Sequence, residues 1–462
     1  MHAIINGRIV LNDKVLDGCA LLFEKKITGI VSRETLETAW QNGKSWQGRP
    51  LTLTDAGGNY VSPGFINLHI HGCDGADTMD AEEDTLAVMS RFLVQTGVTS
   101  FLPATMTCEM PAIYEALECI RKNMTRITRR RDEKQEALPA AVDPGKKAMT
   151  DVCVPEKDTS ECTLLTPAGP PGAKVLGAYL EGPFISRSYK GAQSENYIIA
   201  ADFALIRDFA DVIKVVVLAP ETLKTDVSQE RAGQEPGMVT EKTGSQVRIP
   251  ARLRHFISQC NEHGIIVSLG HSAADYDTAL QAVRAGASHV THLCNGMTGL
   301  HHRNPGLLGA ALDTDVTCEL IADDLHVHPA VQRLVYRVKG AAGLELVTDS
   351  MRACGLPDGI SELGGQAVYV KNREARLADG TLAGSVVTLN RAMAGFRKNT
   401  GTTIPEVVRM VTENQAQELG LFEKIGSLSP GAAADITIFD EGFTVLQTFI
   451  DGREVYKNPD FR

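Results

Sequence analysis

The sequence predicts an α/β protein: a (β/α)8 TIM barrel with a small β-sandwich domain built from both chain termini. Three observations lead there. Through the middle of the chain, eight short apolar runs alternate with amphipathic helical stretches. Both ends read instead as short strands joined by tight turns. Six of the eight proposed middle strands run out at a His, Glu or Asp, and functional residues gather at the C-terminal mouth of such a barrel. A doubly wound open sheet is the runner-up, but no GxGxxG follows the first strand.

At the N-terminus, strands are read at 3–5, 8–11, 19–23 and 27–31, with Asn6-Gly7 as a turn. The C-terminal stretch alternates at 434–439, continues at 444–450 and turns at Asp451-Gly452. The two ends predict one discontinuous sheet domain, 1–61 with 426–462, around a barrel at 62–425. Barrel strands are read at 65–71, 98–102, 175–180, 212–218, 265–269, 289–293, 317–321 and 345–347. Between them, 82–95 places Leu86, Met89 and Leu93 on one helical face, and 251–262 and 276–285 behave similarly. Two polar segments, near 125–173 and 222–247, break the rhythm and read as solvated loop insertions. The basic run Arg126 to Arg131 is followed at once by Asp132 and Glu133, so it reads as a mixed-charge helix end or loop rather than a docking patch.

The chain has 462 residues and a formal net charge of −11. That balance argues against nucleic acid or an anionic membrane as the main partner, while leaving room for a locally positive pocket. No apolar run approaches the ~20 residues of a membrane span, and the N-terminus has no signal-peptide pattern, so a cytoplasmic protein is expected. Ten cysteines are scattered without a CxxC pair, which suits reduced thiols; Cys73 and Cys294, close to the motifs below, read as small buried residues.

The motif PGFINLHIHG places His69 and His71 two apart on a strand, so both rings leave the same face. Paired imidazoles suit a divalent cation, yet HxH alone leaves metal and hydrogen-bonded core histidines equally open. The other strand ends add weight: Glu181 in LEGPF, His271 in LGHS, His292 in THLCN, the Asp323-Asp324-Leu325-His326 run, and Asp349 in VTDS. Independent core or surface roles rarely produce such a series. Singly, each has a plainer reading: Glu181 at a helix start, His292 as a packed ring, Asp349 as an N-cap.

These motifs resemble the amidohydrolase superfamily and, within it, the N-acetylglucosamine-6-phosphate deacetylases. The matching segments include SPGFINLHIHG, LEGPFIS, LAPE, LGHSAADYD, THLCNGMTGLHHRNPG, IADDLHVHP, VTDSMRACGLPDG and GTLAGS. They extend from about Ile4 to about Val455, apart from the two insertions. The resemblance implies that Glu181, His271 and His292 hold a principal metal, zinc or iron. His69, His71 and Asp349 would hold a second ion with Glu181 bridging, giving one or two ions per subunit. It implies hydrolysis of the acetamide of N-acetylglucosamine 6-phosphate by metal-activated hydroxide, with Asp349 as general base and then acid. The products are glucosamine 6-phosphate and acetate, in amino-sugar catabolism and cell-wall sugar recycling.

The resemblance also implies the substrate contacts. Backbone N–H groups of Asn295 and Gly296 would face the phosphate. Arg303 would reach into a partner subunit's site, making a homodimer; read alone, it is a surface arginine. His326 would touch the sugar and help stabilise the oxyanion. Gln193 stands where some deacetylases have a sugar-contacting His, and Leu382, Ala383 and Gly384 belong to the loop covering the sugar. Two departures stand out. Asn67 replaces a common Asp, which alters a hydrogen bond near the ligands rather than a ligand. Asp324 replaces a common Gly and would raise the pKa of His326 if close. The alternatives are another amidohydrolase (an N-acetylgalactosamine-6-phosphate deacetylase, a cyclic amidase or a deaminase) or a non-catalytic scaffold, whose mark would be lost ligands.

Overall fold

A computed structural model describes residues 1–41, 45–135, 172–223, 237–240 and 246–461. Eight parallel strand positions form the barrel: Phe65–Ile70, Val98–Pro103, Lys174–Val175 continuing as Ala178–Leu180, Ile213–Leu218, Ile266–Leu269, His289–Val290, Thr317–Ile321 and Leu344–Val347. Each pairs with the next in parallel register, the two halves joined by an Ala104–Tyr179 bridge. The last strand returns to the first: the Asp349 N–H donates to the His69 carbonyl (2.9 Å), and Asn67 Nδ2 donates to Thr348 Oγ1 (2.8 Å). Asn67 thus seals the ring beside two candidate ligands. The strands are near-continuous apolar runs because sheet and helices bury both of their faces; Val215, Val216 and Val217 are all inaccessible.

Thr85–Leu93 buries Leu86, Met89 and Leu93, as its periodicity requires. Ala251–Glu262 and Tyr276–Ala285 are helices over the expected bounds. The second starts where the Asp275 carboxylate accepts from the Thr278 N–H and stops at Gly286, whose φ of 113° suits glycine.

The chain ends meet. Ile436–Phe439 pairs antiparallel with Tyr60–Pro63, which pairs parallel with Arg8–Val10. A six-stranded sheet therefore draws strands from both termini, and a four-stranded sheet carries His2–Ile5, Cys19–Phe23, Ile27–Ser32 and Thr52–Asp55. Ile4, Phe23, Val61, Ile436 and Phe449 from the two sheets share one apolar cluster. Lys174, on the third barrel strand, donates to Asp435 (2.7 Å) and Asp451 (2.8 Å), fastening barrel to terminal sheet.

The insertions differ from the loops expected. Met110–Gln135 is one helix, so the first segment begins helical and Arg126 to Arg131 lie in its last turns; residues 136–171 lie outside the described part. In the second, Gly237–Thr240 and Gln246–Ile249 form an antiparallel hairpin, while 224–236 and 241–245 lie outside it. Val239 and Val247 are in register there. A three-stranded antiparallel sheet, Gly359–Leu363, Gln366–Lys371 and Glu374–Arg376, was not anticipated. Its turns fall at Gly364-Gly365 and Asn372-Arg373, all with positive φ.

Candidate metal centre

The strand ends converge. His69 is the penultimate residue of the first strand and His71 follows its end; Glu181, His271, His292 and Asp349 each lie just past a strand. His271, His292 and Asp349 take φ of 45°, 29° and 46°. Left-handed backbone at non-glycine residues is strained and clusters at functional sites. It turns the chain over at the barrel rim. All six side chains are buried.

They form two sets, His69 with His71 and Asp349, and Glu181 with His271 and His292; within each the ligand atoms lie within 4.8 Å of one another. Glu181 stands between them. Its Oε1 is 3.1 Å from both His271 Nε2 and His292 Nε2, and its Oε2 is 3.1 Å from His71 Nε2. Asp349 Oδ1 is 3.2 Å from His71 Nε2 and 3.6 Å from His69 Nε2.

The donor set fits a cation. His271 Nδ1 lies 2.8 Å from the Tyr189 carbonyl, and His69 Nδ1 lies 3.0 Å from Glu319 Oε2. Each such nitrogen must donate, which leaves the Nε2 lone pair bare. The His271 and His292 Nε2 atoms face each other at 3.1 Å, and His69 Nε2 has no hydrogen-bond partner at all. Bare lone pairs and two carboxylates aimed at one volume repel unless positive charge lies among them. Within the protein alone the carboxylates draw protons onto the rings. Burial opposes this, but the hydrogen bonds of Asp349 and Glu181 hold His71 well above its ordinary value, and that of Glu181 holds His292 at about 9. Burial likewise opposes ionisation of Glu181, yet the neighbouring His69 and His271 keep it well below the usual carboxylate range. A divalent cation competes for those same lone pairs.

Five of the six residues line a cavity of about 210 Å³, and His69 stands behind its wall. Asn295, Gly296, His326, Gln193, Leu382 and Gly384 also line it. Gly296 has φ of 57°, and a Cβ there would meet His271 Nδ1 at 3.1 Å, so the backbone passes close because the residue is glycine. His326 Nδ1 is fixed by Asp323 Oδ2 at 2.7 Å, leaving its Nε2 for the cavity. Burial raises Asp323, but the His326 hydrogen bond outweighs it and lowers the carboxyl pKa.

Several expectations need correction. The Asn295 N–H already donates to the His292 carbonyl (3.0 Å), so of the two proposed anion-binding amides only that of Gly296 has no protein acceptor among the described residues. Gln193 lines the cavity, but its amide is engaged: Nε2 donates to Glu181 Oε2 (2.6 Å) and Oε1 accepts from the Thr107 N–H (2.7 Å). Asp324 does not touch His326; it accepts from Gln332 (3.0 Å) and Asn399 (2.6 Å). Ala383 is buried in an apolar cluster behind the lining. Arg303, expected at a partner subunit's site rather than at this one, is exposed beside His302 Nε2 at 2.7 Å and lies outside this chain's cavity wall. Glu319 supports a candidate ligand, His69, without being singled out in the sequence; a glutamate inside the apolar Thr317–Ile321 strand was the available signal.

Residues 60–455 match the model of the Amidohydrolase family. The N-acetylglucosamine-6-phosphate deacetylase of Bacillus subtilis (strain 168) is 36% identical over 397 residues, 84% of this chain and 83% of that protein. The N-acetylgalactosamine-6-phosphate deacetylase of Escherichia coli O157:H7 is 32% identical over 409 residues, 87% of this chain and 90% of that protein. A crystal structure of N-acetylglucosamine-6-phosphate deacetylase from Pasteurella multocida superposes with a TM-score of 0.77 at 28% identity, covering 99% of this chain and all of that one. With six buried ligand side chains at the mouth of a parallel barrel and a family match over most of its length, the chain belongs to the amidohydrolase family.

Proposed function

We propose that the chain hydrolyses the acetamide of N-acetylglucosamine 6-phosphate to glucosamine 6-phosphate and acetate, in amino-sugar catabolism. The observation that carries this is the pair of buried ligand sets opening onto one small cavity beside His326 and the free Gly296 amide. Glu181, His271 and His292 would hold a divalent ion, with His69, His71 and Asp349 able to hold a second; imidazole and carboxylate donors suit zinc or iron. Such an ion supplies Lewis acidity, polarising an amide carbonyl and lowering the pKa of water.

The chain's own groups do the rest. Asp349 takes the proton of the attacking water and returns it to the leaving amine, which must depart protonated. His326, steadied by Asp323, donates toward the oxygen that gains charge. The Gly296 N–H donates to a phosphate oxygen. Arg303, exposed and outside its own cavity, suits a homodimer in which it supplies bidentate charge to the partner subunit's phosphate site. Cys73, Cys260, Cys318 and Cys354 are buried free thiols, which supports a cytoplasmic setting.

The second reading is the galacto epimer, because a relative at 32% identity carries that activity in its name. Acetate release from the gluco and galacto 6-phosphates, beside unphosphorylated N-acetylglucosamine, separates the cases. Fast release from the gluco phosphate alone is expected. Preference for the galacto phosphate moves the assignment to the second reading, and equal rates with and without phosphate remove the anchor.

A further inference from the structure

Beneath the ligands lies a carboxylate that the reaction does not use. Glu319 comes from the middle of the seventh strand and is wholly buried. Its Oε2 accepts twice, from His69 Nδ1 (3.0 Å) and from the His292 backbone N–H (3.0 Å). The His69 ring is stacked on Tyr179, centroids 4.2 Å apart and planes 17° from parallel, and the Tyr179 hydroxyl is tied to Thr291. His69 therefore has one ring plane and one tautomer. With Nδ1–H committed to Glu319, its Nε2 can only offer a lone pair, and that atom has no protein partner. Among the six ligand side chains, His69 is the one whose second nitrogen meets a carboxylate. His271 uses a backbone carbonyl, and the Nδ1 atoms of His71 and His292 are unpartnered.

We propose that Glu319 is a positioning residue that dedicates His69 to the second cation of the cluster. This rests on reading the cluster as a metal centre. Ion pairing through the ring makes Nε2 more basic and fixes its direction, so the His69, His71 and Asp349 set binds its ion more tightly than an unsupported set would. The Glu181, His271 and His292 set does not depend on that bond through any ring nitrogen.

The geometry supplies a clean variant. Both hydrogen bonds fall on one oxygen, so Glu319→Gln can keep both with its amide oxygen, while the charge is lost and the unpaired Oε1 becomes a neutral NH2. Glu319→Leu removes the acceptor altogether. Stoichiometry and affinity are read by titrating cobalt(II) into metal-free full-length protein, following the visible bands and bound metal, without substrate. The wild type is expected to bind two equivalents. Glu319→Gln should bind the first unchanged and the second about 10- to 100-fold more weakly; Glu319→Leu should bind one. A second ion held as tightly in Glu319→Gln as in wild type overturns the proposal, as does equal weakening of both ions, which is what general loosening of the barrel would give. A wild type that binds a single ion also overturns it while leaving the deacetylase reading intact. A wild type that binds none removes both.

Discussion

Asp349 is the side chain proposed to carry the proton. It is buried, faces His71 at 3.2 Å and lines the cavity. Asp349→Asn should lower turnover by about 10²- to 10⁴-fold, with the ion on Glu181, His271 and His292 still bound; near-normal turnover by acetate assay would remove its role as proton carrier. Arg303→Ala should raise KM for the phosphorylated sugar by about tenfold, the scale of one lost charged hydrogen bond, with little effect on an unphosphorylated one. Equal KM changes for the two would count against the anchor. At this scale the convergence of the candidate ligands was legible because a His, Glu or Asp at the end of an apolar run is costly to bury without a partner, and here that placement recurs strand after strand. The roles of Gln193 and Asp324 were not. Whether Gln193 meets a sugar or Glu181 depends on the path of the loop that follows the third strand, and no local pattern encodes that path. Asp324 neighbours His326 in sequence, but its positive φ of 68° turns its carboxylate toward Gln332 and Asn399 instead.

Among the elements, the third barrel strand carries the joint to the terminal sheet. Lys174 is nearly inaccessible and holds both Asp435 and Asp451, and Asp435 is itself buried. Burial pushes the Asp435 carboxyl up, against the pull of Lys174. Removing the lysine alone leaves the buried Asp435 carboxylate without its counter-charge, which costs about 3–5 kcal/mol. Lys174→Met should therefore lower the thermal midpoint by several degrees, and Lys174→Met with Asp435→Leu should recover part of the loss; an unchanged midpoint in the single variant would contradict the joint. Barrel strands and the three clearest helices were legible because burial imposes their periods on the sequence. Gln366–Lys371 alternates buried and exposed residues, but the sheet escaped notice because its partner strands are weak signals: Gly359–Leu363 buries only Leu363 and Glu374–Arg376 only Ala375. The helix at Met110–Gln135 runs into a charged segment that composition assigned to a loop; helix propensity favours Arg, Lys, Glu and Gln there as readily as solvent does.

Across the whole molecule, the barrel interior is unusually polar below the metal centre. His289 is fully buried and hydrogen-bonds Ser268 (2.9 Å) and Glu345 (3.2 Å). Burial disfavours its charge, but Glu345 outweighs that and holds it at about 9, against an ordinary 6.5. Glu345 is itself pushed up to about 7 by burial. Both groups bind protons more tightly folded than unfolded, so both withdraw stability as pH rises. The His289 share is complete below about 6.5 and lost through about 9. Metal-free protein should melt at lower temperature as pH goes from 6.5 to 9, and replacing both His289 and Glu345 with Leu should flatten that slope. The same slope in the double variant would show that the pair does not contribute.

The central claim is that the convergent side chains hold a divalent ion on which amide hydrolysis depends. The direct measurement is acetate release from N-acetylglucosamine 6-phosphate by protein stripped with a chelator, then titrated with zinc or iron(II) while bound metal is counted. Release should vanish in the stripped protein and return in proportion to the first equivalent bound. Undiminished release from protein shown to carry no metal would contradict the account.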